Sequence, residues 1–133
     1  MSTDIEVLPL QSGEDIVKAR QVVRARATAL GFSLVEQTKV VTAASELARN
    51  AVTYGGGGEV RIQRLLQNSR SGLQLTFEDR GPGIPDIELA MKDGYTTGTG
   101  LGLGLSGAKK LSHEFTIWSQ AGSGTRVTIT RWK

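Results

Sequence analysis

Residues 95–111 read YTTGTGLGLGLSGAKKL, with five glycines in the ten positions from Gly98 to Gly107. Composition alone leaves three readings open: a phosphate-binding loop, a flexible linker, or an incidental cluster in a 133-residue chain that holds 17 glycines. A Walker A loop, G-x-x-x-x-G-K-[ST], fails because Ala108 follows Gly107 where lysine is required. Residues 102–107, GLGLSG, match the G-x-G-x-x-G pattern of dinucleotide folds. However, no strand precedes them, and no acidic residue stands about 20 residues downstream. What survives is a glycine-dense loop that runs into a helix over about Gly104 to Ser112, where unpaired N–H groups and the positive end of the helix dipole face phosphates.

Upstream, residues 78–85 read EDRGPGIP. Asp79 closes an alternating strand, and Gly81 and Gly83 follow in alternate positions, leaving room for a ligand against the backbone. A carboxylate there accepts hydrogen bonds from an amine such as the exocyclic amino group of adenine. A local turn also explains the segment, since Asp, Gly and Pro dominate turns. Further upstream lies SELARNA, residues 45–51. Glu46 and Asn50 stand four apart and project from one helix face, while Leu47, Ala48 and Ala51 lie on another. Taken alone, that pair also reads as a solvated polar couple.

The elements around these segments alternate between two periods. Ile5 to Leu10 suits an edge strand. A helix from Glu14 to Leu30 follows, opened by Ser12 and stopped by Gly31, with Ile16, Ala19, Val23, Ala27 and Leu30 at helical spacing. Its other face carries Lys18, Arg20, Arg24 and Arg26, a solvated face or a partner-docking one. Ser33 and Glu36 make a capping box for a second helix, which runs to Thr53 and ends at the glycines 55–58. Val60, Ile62 and Arg64, then Leu73, Leu75 and Phe77, alternate on either side of a turn over residues 68–72, predicting a hairpin. Residues 115–118 and 127–130 flank AGSG at 121–124 as a second hairpin. Paired antiparallel strands with separate helices predict an α+β two-layer sandwich forming one domain over residues 1–133.

Composition narrows the chemistry. With no cysteine and one histidine, disulfide frameworks, thiolate zinc sites and histidine metal clusters are excluded. There is no apolar run near 18 residues and no basic-then-apolar amino terminus, so the reading is a cytoplasmic protein without a membrane association. A net charge of +3 and 5% aromatics do not make the basic, base-stacking surface of a nucleic-acid binder.

Taken in order, the boxes are Glu-x-x-x-Asn on a helix and Asp-x-Gly-x-Gly-Ile after a strand, then Gly-x-Gly-Leu-Gly-Leu before a helix and Gly-x-Gly-Thr in the last hairpin. This series resembles the GHKL family of ATPases and kinases over nearly the whole chain. The resemblance implies a Bergerat nucleotide-binding fold with a mixed, mostly antiparallel sheet, and ATP and Mg²⁺ as cofactors. It assigns Asn50 to the metal, Glu46 to the general base and Asp79 to the adenine amino group, with Gly81 and Gly83 beneath the base. Gly98, Gly100, Leu101, Gly102 and Gly104 would line the phosphates, and Thr125 would support the adenine contact. Residues 84–97 would form a short lid. No arginine finger is evident; for Arg49, beside Asn50, facing phosphate or partner is the minority reading.

The length leaves no room for the transducer domains of gyrase-like and Hsp90-like members or for a histidine-kinase phosphoacceptor domain. SELARNA, EDRGPGIPDI, MKDGYTTGTGLGLGLSGAKKL, HEFTI and AGSGT look like the stand-alone branch that serves bacterial partner-switching modules, within it the serine/threonine kinases of the stressosome pathway. Such a kinase is implied to phosphorylate STAS-domain scaffold or antagonist proteins and then to activate a PP2C-type phosphatase. The alternative is an anti-sigma factor that binds a sigma subunit and phosphorylates its own antagonist.

Overall fold

A computed structural model describes residues 5–92 and 103–133. In chain order the elements are β1 (Ile5–Leu10), α1 (Gly13–Ala29), α2 (Leu34–Thr53), β2 (Gly58–Gln67), β3 (Arg70–Asp79), α3 (Ile87–Ala90), α4 (Leu103–Lys110), β4 (Glu114–Gln120) and β5 (Gly124–Trp132). The strands form one sheet in the order β1-β2-β3-β5-β4. The α+β two-layer expectation holds, with β1 at an edge as read. Every neighbouring pair among the described residues is antiparallel, so the sheet carries no parallel component there. The physical reason is connectivity: β2–β3 and β4–β5 are hairpins, and each outer pairing joins strands that run in opposite senses.

Local chemistry sets the helix boundaries. Ser12 Oγ accepts from Asp15 N–H at 3.4 Å and opens α1. At α2, Ser33 Oγ accepts from Glu36 N–H at 3.2 Å while Glu36 Oε1 accepts from Ser33 N–H at 3.5 Å, so the capping box is formed. A cap of this kind stabilises a helix by about 1 kcal/mol. The first hairpin is tighter than the sequence reading. Asn68 and Ser69 both take positive φ, 51° and 65°, so a two-residue turn joins ten-residue strands and residues 70–72 belong to β3. Positive φ at both turn residues matches the strand twist, which lets pairing run to the turn. Arg64 lies past the helical layer and is exposed, unlike Val60 and Ile62 on the same side of β2.

One apolar layer joins the two halves. Val40, Val41, Ala43, Ala44, Leu47, Ala48 and Ala51 of α2 are buried together with Val60, Ile62, Leu73, Leu75, Phe77, Val127 and Ile129 of the sheet. Alanine dominates the buried face of α2, which lets α2 approach α1, α4 and the sheet closely. On the opposite sheet face polar pairs cross the strands: Gln74 Nε2 donates to Thr130 Oγ1 at 3.1 Å, and Thr76 and Thr128 share a 3.3 Å hydrogen bond. The consequence for function is an α2 packed over β1, β2 and β3, with Asn50 near its end lining one pocket with Asp79. No described helix is long and apolar enough to cross a membrane.

Candidate nucleotide site

Between the C-terminal half of α2, the end of β3, the start of β5 and the first turns of α4 lies an open pocket. Its walls are apolar: Leu47 and Ala51 from α2, Phe77, Ile84, Leu105 and Val127. Its polar groups are few and placed apart: Asp79 and Thr125 with Tyr54 and Asn50. A flat apolar slot with a handful of fixed polar groups is the usual build of a site for a small heteroaromatic ligand.

Asp79 is the most elaborately held side chain. Gly81 N–H donates to its Oδ1 at 3.0 Å, and the backbone of Thr125, directly opposite in the β3–β5 register, donates as well. Burial is the largest influence on this carboxyl and raises it above the ordinary value of 3.8; the two backbone donors pull it down and neighbouring Glu78 adds a further push upward. Thr125 Oγ1 shares a 2.9 Å hydrogen bond with Ser119 Oγ, which also accepts from Ile84 N–H at 2.7 Å. Ser119 thus ties the segment after Gly83 to β4 and β5 and fixes the floor of the pocket.

Gly55 is a site residue that the sequence reading treats only as a helix stop. A Cβ there would strike the Asp79 carboxyl, so the bare backbone beyond α2 is what admits that side chain. Nothing local signals this, because the two residues lie 24 positions apart in the chain. Ser119 was missed for the same reason. Of the expected site residues, Asp79, Gly83, Asn50 and Thr125 line one pocket, and Gly81 caps the Asp79 carboxylate. Gly98, Gly100, Leu101 and Gly102 lie outside the described residues. The expected lid is described only to residue 92: Ile84 and Ala90 are buried, and Asp86 Oδ1 caps α3 by accepting from Leu89 N–H at 3.0 Å.

Glu46 and Asn50 share one side of α2, as their spacing requires. Asn50 lines the pocket, and its Nδ2 is buried without a hydrogen-bond partner. A buried unpaired amide end is costly in a folded protein and points to a ligand that completes it. The two ends of the amide are interchangeable by rotation, so the group offers either a donor to a phosphate oxygen or a hard oxygen to a divalent cation. Among the described residues no three His, Asp or Glu side chains converge as a metal cage. A cation here would take one or two protein oxygens with phosphate and water, the arrangement Mg²⁺ favours. The donor set therefore fits Mg²⁺ carried on a nucleotide.

Glu46 stands at the rim beside Asn50. A Cβ on Gly104 would approach Glu46 Cβ to 2.6 Å and Oε2 to 2.8 Å, so the first turn of α4 lies directly on this carboxylate. Arg49, beside Asn50, is partly exposed, and its Nη2 is ion-paired with Glu46 Oε1. An i,i+3 spacing makes that contact local, and it competes with any outward reach of the guanidinium.

A helix carrying Glu and Asn over a pocket floored by Asp and glycines defines an ATP-binding domain of one class. The family model for histidine kinase-, DNA gyrase B- and HSP90-like ATPases matches residues 35–133, and the chain belongs to that family. It is 48% identical over 118 residues to the serine/threonine-protein kinase RsbT of Bacillus subtilis strain 168, covering 89% of each chain. It is also 33% identical over 119 residues to the anti-sigma F factor of Thermoanaerobacter sp. strain X514, covering 86% of this chain and 82% of that one. The anti-sigma F factor of Bacillus licheniformis is 32% identical over 120 residues, with 85% and 81% covered.

Proposed function

We propose that this chain is an ATP-dependent serine/threonine protein kinase of a bacterial partner-switching module, acting in the cytoplasm on STAS-domain scaffold or antagonist proteins. The observation that carries the reading is one pocket that brings together a half-buried carboxylate, Asp79, and the unpaired Asn50 amide, with Glu46 one turn earlier on the same helix. The 48% identity to a serine/threonine-protein kinase supports the acceptor chemistry. In this reading residues 1–133 act as one nucleotide-binding unit, and the protein goes on to activate a PP2C-type phosphatase once released from its scaffold.

The chain's own residues divide the work. Asp79 accepts a hydrogen bond from the adenine amino group, Thr125 supports that edge, and Phe77, Ile84 and Leu105 exclude water from the base. Asn50 would hold Mg²⁺, which would supply neutralisation of phosphate charge. Glu46 takes the proton from the acceptor hydroxyl. The acceptor oxygen forms a bond to the γ-phosphorus, the bond from that phosphorus to the β–γ bridging oxygen breaks, and ADP leaves.

The test is incubation with γ-labelled ATP, Mg²⁺ and purified STAS-domain proteins of the host, beside a pull-down of its sigma factors. Label on a STAS-domain protein without sigma capture is the expected result. Stable sigma capture would favour the second reading, an anti-sigma factor that phosphorylates its antagonist, which the relatives at 32–33% identity keep in play.

Replacing Asp79 with asparagine should weaken ATP binding about 10- to 100-fold, since a hydrogen bond to a charged partner contributes roughly 1.5–3 kcal/mol. Titration calorimetry with ATP measures it, and an unchanged affinity rejects the adenine assignment. Stability should move the other way. The folded state binds a proton at Asp79 at higher pH than the unfolded chain does, so this group's contribution is fully present below 3.8 and is lost as pH rises through its raised folded value. The nucleotide-free Asp79→Asn protein should therefore gain melting temperature relative to wild type between pH 3.5 and 7. A constant difference across that range would contradict the buried-carboxylate account.

A further inference from the structure

Two contacts meet on one carboxylate beside the pocket. Glu46 Oε1 is held by Arg49 from the next turn of α2, and Oε2 lies against Gly104 at the start of α4. Neither Glu46 nor Arg49 is among the residues that line the pocket, whereas Asn50, next to Arg49 in the helix, is. The Arg49 side chain is 55% exposed and that of Glu46 32%, so the pair is open to a protein acceptor.

As a stabilising contact, an exposed i,i+3 ion pair contributes little. As a geometric constraint it does more. A glutamate reaches its proton through three side-chain torsions, and a base works only within about 2.6–3.2 Å of the hydroxyl. A planar guanidinium on one oxygen fixes the plane of the carboxylate, and a carboxylate keeps further lone pairs for a second donor. The backbone at Gly104 blocks rotation the other way.

We propose that Arg49 is the positioning residue of the transfer step: it pins Glu46 by Oε1 so that the carboxylate's remaining lone pairs meet the serine or threonine hydroxyl, and it makes no contact with the nucleotide. This rests on the kinase reading above and adds to it the residue that aims the base. It also replaces the minority reading in which Arg49 faces phosphate or partner.

The experiment is single-turnover phosphorylation of the STAS-domain protein labelled in the assay above, with ATP affinity measured separately for each variant. Arg49→Ala should slow transfer about tenfold or more, a fraction of the roughly 10²- to 10⁴-fold that a positioned base supplies. ATP affinity should stay within about twofold, because no nucleotide contact is lost. Arg49→Lys, which keeps the charge but not the fork, should recover part of the rate. In a Glu46→Gln background, adding Arg49→Ala should cause no further loss, since residues that act through one another are not additive. Weakened ATP binding, or a further loss on top of Glu46→Gln, would make Arg49 a direct phosphate or partner ligand and overturn the proposal. A rate equal to or faster than wild type would overturn it too, the faster one marking the pair as a restraint on the base. Transfer by wild type but no slowing in Arg49→Ala removes this inference alone; no transfer by wild type removes the kinase reading with it.

Discussion

Asn50→Ala will abolish Mg²⁺-dependent phosphorylation within the range of an ordinary assay, a loss of at least about 10²- to 10³-fold, the size seen when one preorganised polar group is taken from a transition state. The argument starts from an anomaly in the fold. Asn50 sits in the last turns of α2, where its backbone carbonyl already accepts from Tyr54 N–H at 2.9 Å and Gly55 N–H at 3.0 Å. Its side-chain Nδ2 adds nothing to the protein's own hydrogen bonding, being buried and unpaired. Alanine therefore removes an unsatisfied polar atom and keeps helix propensity, so the folded state should not suffer. The melting temperature of the nucleotide-free variant is expected at or above that of wild type. Retained phosphorylation together with unchanged Mg²⁺ dependence would remove Asn50 from the metal site.

The same region marks how far the sequence could be read. The capping box at Ser33 and Glu36 and the helical spacing of Glu46 and Asn50 are local patterns, and each appears in the structure as read; the Asp79–Gly81 contact is the local turn that the segment also allows. Failures came where a contact joins distant positions or where one local rule overrode another. Gly55 looked like the end of a helix because four glycines in a row cannot continue one; its second role, admitting the Asp79 carboxyl, depends on the sheet bringing β3 beneath it. Ser119 alternates inward on an edge strand, and nothing near it in the chain forecasts hydrogen bonds to Ile84 and Thr125. The turn after β2 was drawn too wide because Asn, Ser, Arg and Gly all suit turns, whereas twist favours the two-residue form.

Glu46→Gln will slow phosphoryl transfer by about 10²- to 10⁴-fold while leaving ATP affinity within about twofold, the span assigned to a positioned general base. The substitution keeps the side chain's size, so Gly104 can remain in its place against it and the first turn of α4 is not displaced. The apolar slot and Asp79 lie on the other side of Asn50 and lose no contact, which is why nucleotide binding should survive. What disappears is the group that accepts the hydroxyl proton, and with it the charge that holds Arg49. Single-turnover kinetics at saturating ATP isolates this from binding and product release. A normal rate would mean that the acceptor hydroxyl loses its proton without Glu46, leaving this residue to brace α2 against α4. A matched fall in ATP affinity would instead place Glu46 in the binding site itself. Only slow transfer at full occupancy makes the rim of α2 the place where the acceptor protein and the nucleotide meet.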